Sequence, residues 1–378
     1  MSQSQTAIQS EALKDNLQEK LRQVYGAATR VVGVRHISRR AAVSARVQLE
    51  GSGNPRFVFV KHVFPECYPA RDLPNEHVEF AEELLAQRFL ENCPSPQPYR
   101  PKLITFDERG FFVLEYLGDN GYAEERTFGY LIPRIALALA MQHSSTMGHE
   151  EKYDELRRES GLGAPSDDKR RYGGPAQQWR FNLGRAYLLR EAGERGLASS
   201  AFDQEIEEAA EFVACPGQHK AFIHDDLGNA RQTFELNDRL YLLDYEYARY
   251  GPGLLDLCKP MLGKFELNLS NDNYFWNSAD FPNDLATAYR QALLQAGVPS
   301  VSDEEWFKAL ASSQVFHSLT LIGRLMHLEP DRRLVGSIQQ NVNGILFRLF
   351  ETLPDETQPA LKGFCKSFLG LPDTSKMC

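Results

Sequence analysis

Three runs near the N-terminus, RVVGVRHIS (30–38), AVSARVQLEG (42–51) and PRFVFVKHV (55–63), are dense in β-branched and aromatic residues. Turn-forming segments, EGSGNP among them, separate the runs. Side chains of this kind suit a pleated, half-buried surface, and links this short join antiparallel strands. Two further runs of the same character, PKLITFD and GFFVLEYLG, flank a turn at Asp107–Gly110. Between the two groups lies a helical stretch, EHVEFAEELLAQRFL, with apolar faces from Val78, Leu84, Leu85, Phe89 and Leu90 and a cap at Asp72 or Asn75. The spacing therefore predicts a small lobe of five strands and one helix over residues 27–118. Before it, Leu13, Leu17, Leu21 and Val24 mark one face of a short amphipathic helix in residues 1–26.

Residues 119–378 change period. LIPRIALALAMQHSSTM reads as one helix, and others follow at about 176–194, 203–214, 283–297, 303–328 and 332–352. One β-like island, residues 221–247, interrupts them, and no internal repeat is visible. The expected class is α+β, with a β-rich N-terminal lobe and a larger, mainly helical C-terminal lobe. A net charge of −9 argues against nucleic-acid or anionic-membrane partners, which need a basic surface. The basic run Lys169–Arg171 reads as a solvated face. No stretch approaches the ~20 apolar residues of a membrane span. The N-terminus lacks the layout of a signal peptide. The six cysteines form no C-x-x-C pair, the nearest two being Cys365 and Cys378, and they read as thiols of a reducing compartment. A cytoplasmic location is expected.

The island carries the chemistry. Ala221–Ile223 delivers His224, Asp225 and Asp226, and Leu240–Leu243 delivers Asp244 and then Glu246. Two carboxylates 18 residues apart, at the ends of strands read as adjacent, can converge on one cleft. Phosphoryl transfer needs such a pair, one to take the proton of an attacking hydroxyl and one to hold the magnesium that bridges nucleotide phosphates.

These residues resemble the aminoglycoside phosphotransferase and choline kinase family, whose catalytic loop reads H-x-D-x-x-x-x-N and is followed by D-[FY]-E-x-[AS]-x-x-G-x-x-x-x-D-L. His224-Asp225-Asp226-Leu227 matches the first motif; Asp244-Tyr245-Glu246-Tyr247-Ala248, with Gly251, Pro252, Asp256 and Leu257, matches the second. The resemblance spans roughly residues 28–330 and implies a two-lobed, protein kinase-like fold. It implies Asp226 as catalytic base, Asp244 as main metal ligand, His224 as a brace and Asp256 as structural. One position departs from the pattern. Arg231 stands where the family has its metal-binding asparagine, and arginine offers only donors. Asn229, three residues after Asp226, or Gln232, six after it, could supply the amide oxygen, and Arg231 could contact phosphate.

In the small lobe, Lys61 stands where such kinases keep the strand lysine that meets the nucleotide phosphates and pairs with a helix glutamate. Glu83 fits that partner best, with Glu82 and Glu79 as rivals. The phosphate-covering turn falls at His36–Arg40, with no glycine-rich loop but with Ser38, Arg39 and Arg40 available. Backbone groups from Glu115 to Leu117 would bind the purine edge. His143, ending the helix after the connector, is read as structural. The implied cofactors are ATP or GTP with magnesium, and the implied acceptor is a small hydroxyl-bearing molecule. Asp272, Tyr274, Trp276 and Asp280 could line an acceptor pocket. The alternative from another class is a pseudokinase-like protein that binds nucleotide or a partner without turnover.

Overall fold

A computed structural model of the 378-residue chain describes residues 3–38, 43–63, 73–93, 99–107, 110–119, 121, 128–162, 174–227, 232–262, 281–327, 338–354 and 357–371. The chain divides into two compact units. One gathers Met1–Gly121 with two later segments, Lys152–Leu162 and Phe234–Tyr247; the other holds Tyr122–Glu151, Gly163–Thr233 and Ala248–Cys378.

The N-terminal unit is built on strands β1 (Arg30–Ser38), β2 (Val43–Glu50), β3 (Phe57–His62), β4 (Leu103–Asp107) and β5 (Phe111–Glu115), in the order β1-β2-β3-β5-β4. Every pairing is antiparallel. Both faces of the sheet are covered, which is why β5 is buried over four successive residues instead of alternating. Phe111 and Val113 face helix α1 (Gln3–Tyr25) and its Leu13, Leu17 and Leu21. Phe112 and Leu114 point the other way, to Phe80 and Leu84 of α2 (Leu73–Glu91). Val24 does not join the face expected of it: it is 44% exposed, and Tyr25 packs on that core instead.

Two insertions complete this unit. Helix α4 (Glu150–Glu159) carries acidic residues in its first turn and basic ones in its last, the arrangement its dipole favours. Its sequence is too polar to show an apolar stripe, so periodicity passes over it. The hairpin β7 (Thr233–Leu236) and β8 (Arg239–Leu242) turns at Asn237 and Asp238, both in left-handed backbone, φ 51° and 61°. Two positive φ angles are what a tight hairpin turn needs, and Asn and Asp tolerate them best after glycine.

The other unit contains α3 (Phe128–Thr146), α5 (Gly174–Glu194), α6 (Ser200–Ala214), α7 (Leu255–Leu262), α8 (Phe281–Gln295), α9 (Asp303–Met326), α10 (Ile338–Thr352) and α11 (Pro359–Phe368). Strands β6 (Lys220–Ile223) and β9 (Arg249–Pro252) form a two-stranded ladder there. Helix α9 is its axis. It starts at Ser302, whose hydroxyl accepts from the Glu305 N–H, with Asp303, Glu304 and Glu305 in the first turn. Beyond Trp306 it is buried on nearly every side. Cys93, Cys258 and Cys365 are buried free thiols, and Cys215 is an exposed one. Among the described residues no helix is long and apolar enough to cross a membrane.

Helices α5 and α9 touch backbone to backbone where Gly184 meets Gly323. A Cβ at Gly184 would overlap the Leu319 carbonyl, and one at Gly323 the Arg180 carbonyl. Alanine would gain about 1 kcal/mol of helix propensity at either position. The clash outweighs that gain, because backbone on both sides leaves nothing soft to move. Gly323→Ala should lower the unfolding free energy by ~2 kcal/mol in urea denaturation; an unchanged or raised midpoint would show that the helices separate at no cost.

Candidate active site

The N-terminal unit buries an ammonium among carboxylates. Lys61, on β3, projects toward α2, and its Nζ donates to Glu83 Oε1 at 2.8 Å and Oε2 at 2.6 Å. It also donates to Asp244 Oδ1 at 2.6 Å. Lys61 and Glu83 are 6% and 1% exposed, whereas the Asp244 side chain keeps 42% of its surface. An ionised lysine in such a place must be paired. Burial alone would lower its pKa, but Asp244, Glu83 and Glu246 together outweigh burial and hold it above the usual lysine range. Lys61 is therefore a fixed cation with one solvent-facing partner.

Among the three glutamates the sequence left open, Glu83 is the one bonded to Lys61. Glu82, one residue earlier and so on a different face of α2, takes Arg157 of α4 instead, through two bonds of 2.5 and 2.6 Å. Phe89 packs edge-on against Tyr153 at 5.2 Å, and Arg88 reaches Ser160 at 3.2 Å. Helix α4 thus clamps the helix that presents Glu83, a support the sequence reading missed.

Asp244 comes from the hairpin segment, which is bonded into this unit at two backbone points. The Glu235 N–H donates to the Gly121 carbonyl at 2.6 Å, and the Leu242 N–H to the Tyr99 carbonyl at 2.7 Å. Asp244 itself is left-handed, φ 61°. No cluster of three or more metal-ligating side chains occurs among the described residues. Magnesium keeps waters and takes one or two carboxylates plus substrate phosphates, so it needs no full protein cage. Asp244 is a hard oxygen donor with open surface, so it fits.

In the helical unit, β6 ends at the turn His224-Asp225-Asp226. The expectation that β6 and β8 are adjacent is corrected: β6 pairs with β9, and β8 pairs with β7. What fixes the turn is Asp256 at the start of α7. Its carboxylate accepts the His224 N–H at 2.6 Å and the Asp225 N–H at 2.7 Å. His143 Nε2 lies 3.1 Å from Asp256, and His143 Nδ1 lies 2.6 Å from the Tyr289 hydroxyl. Burial would raise the Asp256 pKa, but hydrogen bonds and charge from His143 and His224 hold it below the ordinary carboxylate range.

Adjacent aspartates then diverge. Asp225 is left-handed (φ 58°), buried, and bound by Gln177 and by Arg249 Nε at 2.8 Å. Asp226 has a side chain 25% exposed. Its N–H donates to His224 Nδ1 at 3.3 Å, and its carboxylate accepts from Gln232 and, at 3.3 Å, from Lys259. Lys259 was not foreseen. Its signal was a lysine one turn beyond Asp256 in an otherwise apolar helix.

The remaining expected positions are only partly visible. His36, Ile37 and Ser38 are strand, not turn: β1 continues to Ser38, which pairs with Ser44 after a register shift. Arg39 and Arg40 lie outside the described residues, as do Asn229, Arg231, Lys169–Arg171, Asp272, Tyr274, Trp276 and Asp280. Glu115 ends β5, where its N–H is committed to the Lys102 carbonyl at 2.9 Å, and Leu117 follows outside regular secondary structure.

No protein-family model matches this sequence, and no curated protein is similar to it in sequence. Solved structures are similar in fold. An ethanolamine kinase from Plasmodium vivax superposes with a TM-score of 0.51 at 11% identity, over 92% of this chain and 89% of that one. A choline kinase from Cryptosporidium parvum gives 0.50 at 14% identity, over 94% and 99%. An amicoumacin kinase gives 0.50 at 10% identity, over 97% of both. The chain has the protein kinase-like fold of these small-molecule kinases.

The buried anchor makes a stability prediction. A carboxyl held below its ordinary pKa contributes in full above pH ~4, and the contribution is lost as pH falls through the depressed value. Asp256→Asn should cost ~3 kcal/mol at pH 7 and flatten the acid limb of stability against pH. Chemical denaturation between pH 3 and 7 measures both, and a variant whose acid limb matches the wild type would show that Asp256 is not the titrating anchor.

Proposed function

We propose that this protein is a phosphotransferase that moves the γ-phosphoryl group of ATP or GTP to a hydroxyl of a small-molecule acceptor, with magnesium. The observation that carries the reading is the buried Lys61 ammonium shared between Glu83 and Asp244. A cation so deeply desolvated is expensive as mere scaffolding, and a lysine fixed by a helix glutamate beside a partly open carboxylate is what nucleotide phosphates require. The fold agrees with it. One of the neighbours in fold, the amicoumacin kinase, is a complex with AMP-PNP, Ca2+ and its acceptor.

In this reading Lys61, oriented by Glu83, contacts the nucleotide phosphates. Asp244 would hold the metal, with Asn229 as the second donor, and the metal when bound would supply positive charge to offset that of the phosphates. Asp226 accepts the acceptor's hydroxyl proton as its oxygen bonds to the γ-phosphorus and the bond to the bridging oxygen breaks, leaving the nucleoside diphosphate. His224 supports the base through the Asp226 N–H. Arg231 and Arg39 would supply positive charge for phosphate, the hydroxyl of Ser38, at the end of the first strand, would supply a hydrogen bond, and the backbone from Glu115 to Leu117 would meet the purine. The acceptor is a small hydroxyl-bearing molecule.

A second reading, nucleotide binding without turnover, is favoured by one observation: Gln232 donates to Asp226 Oδ2, the side chain meant to take the proton. Radiolabelled ATP and GTP, offered with magnesium and a panel of amino alcohols, aminoglycosides and sugars, separate the two. Transfer is the expected result, and tight nucleotide binding with neither transfer nor hydrolysis would establish the second reading.

Two substitutions check the roles. Asp226→Ala should reduce transfer by at least ~100-fold while nucleotide affinity stays within about threefold; lost nucleotide binding would mean the base is misassigned. Asp244→Ala should weaken nucleotide binding roughly tenfold or more in magnesium and little in EDTA, as read by calorimetry.

A further inference from the structure

Lys259 is a buried cation whose ammonium reaches the proposed base, Asp226, and neither motif includes it. It lies three residues after Asp256 on α7, so the two project from the same face of the helix. That face meets the 224–226 turn. Asp256 accepts the main-chain N–H groups of His224 and Asp225, while Lys259 Nζ donates to the Asp225 carbonyl and approaches Asp226 Oδ1 at 3.3 Å. One helical turn therefore grips the donors and an acceptor of the same short segment.

The energetics make this more than packing. Lys259 is 3% exposed, and taking an ammonium out of water costs several kcal/mol unless a carboxylate and further acceptors compensate. An apolar side chain would fill the same volume, as Leu257 and Met261 do on this helix. His317, on the neighbouring α9, is pulled down to about 3 by burial and by the Lys259 charge, so it is neutral near pH 7 and brings no second cation. Asp225, which could compete for the ammonium, is bound by Gln177 and Arg249 instead.

We propose that Lys259 is a positioning residue for phosphoryl transfer: it fixes the left-handed Asp225 main chain and the Asp226 carboxylate together, so that the base is presented in one orientation. The proposal rests on Asp226 being the base. The Asp226 carboxylate hangs on a strained turn with φ 58° at the preceding residue. A conformation of that kind persists only where its surroundings over-determine it, and Lys259 ties main chain and side chain at once.

The test is magnesium-dependent transfer, or hydrolysis where water is the acceptor, in the 378-residue chain with Lys259→Met, Lys259→Arg, Asp226→Asn and the Asp226→Asn/Lys259→Met pair. Lys259→Met should lower kcat roughly 10- to 100-fold, with the KM for nucleotide within about threefold. Lys259→Arg should recover at least half of that loss on a logarithmic scale. In the Asp226→Asn background, Lys259→Met should cost less than about threefold more, since the group it positions is gone. If Lys259→Met does not fold, Lys259→Gln, which keeps a donor for the Asp225 carbonyl, carries the same comparison. A folded Met or Gln variant with wild-type kcat overturns the proposal, as do losses that multiply independently in the double variant or a rise in KM alone. Wild-type turnover in Asp226→Asn alone sinks the parent reading instead, and the two failures are thereby told apart.

Discussion

A single desolvated ammonium organises the N-terminal unit. Lys61 can remain charged beneath a sheet only because Glu83 and Asp244 reach it, and each carboxylate is delivered by a different piece of chain. Glu83 depends on the placement of α2, which is packed against β5 through Phe112 and held from behind by the Arg157–Glu82 pair. Asp244 depends on a hairpin that arrives from far along the sequence and is bonded to the backbone at Gly121 and Tyr99. Remove the lysine and two carboxylates face each other in a poorly solvated place. Remove either carboxylate and the lysine is under-compensated. Coupled costs of this kind make an arrangement all-or-none and give it one geometry.

The helical unit solves a parallel problem with an anion. Asp256, fully buried, accepts two successive main-chain N–H groups and has His143 and, through it, Tyr289 behind it. Gly253 lets the chain pass close to that pair, since a Cβ there would lie 3.0 Å from His143 Nδ1 and 3.1 Å from the Tyr289 hydroxyl. The turn at 224–226 is held in this way, and the structure assigns opposite fates to its two aspartates. Asp225 is spent on Arg249 and Gln177, leaving Asp226 as the one with solvent-accessible surface.

Much of this was legible before any coordinates. The five strands, the pattern of helices, Lys61 at the end of its apolar run and the order His-x-Asp then Asp-x-Glu are local in sequence. Their signals are a period of two, a period of 3.6 and a motif. The misses share a different cause. Val24 fits the heptad-like spacing of Leu13, Leu17 and Leu21 yet is solvent-exposed, and Tyr25, one residue on and so about 100° further round the helix, packs on that core instead. Helix α4 carries almost no apolar signal, so only its charge asymmetry marked it. The expected turn at His36–Ser38 is strand because β1 keeps pairing with β2 through an irregularity in register.

The sequence by itself determined which chemistry the chain can present: two acidic motifs, a strand lysine, and apolar patterns sufficient to bury a sheet on both faces. Tertiary structure alone decided who meets whom. It chose Glu83 over Glu82 for Lys61, paired β6 with β9 and β8 with β7, and brought Lys259 against Asp226. The reason is physical. Periodicity and propensity report on neighbours a few residues apart, whereas the pairing of strands and of buried charges is settled by loop closure and by the cost of leaving any charged or hydrogen-bonding group without a partner.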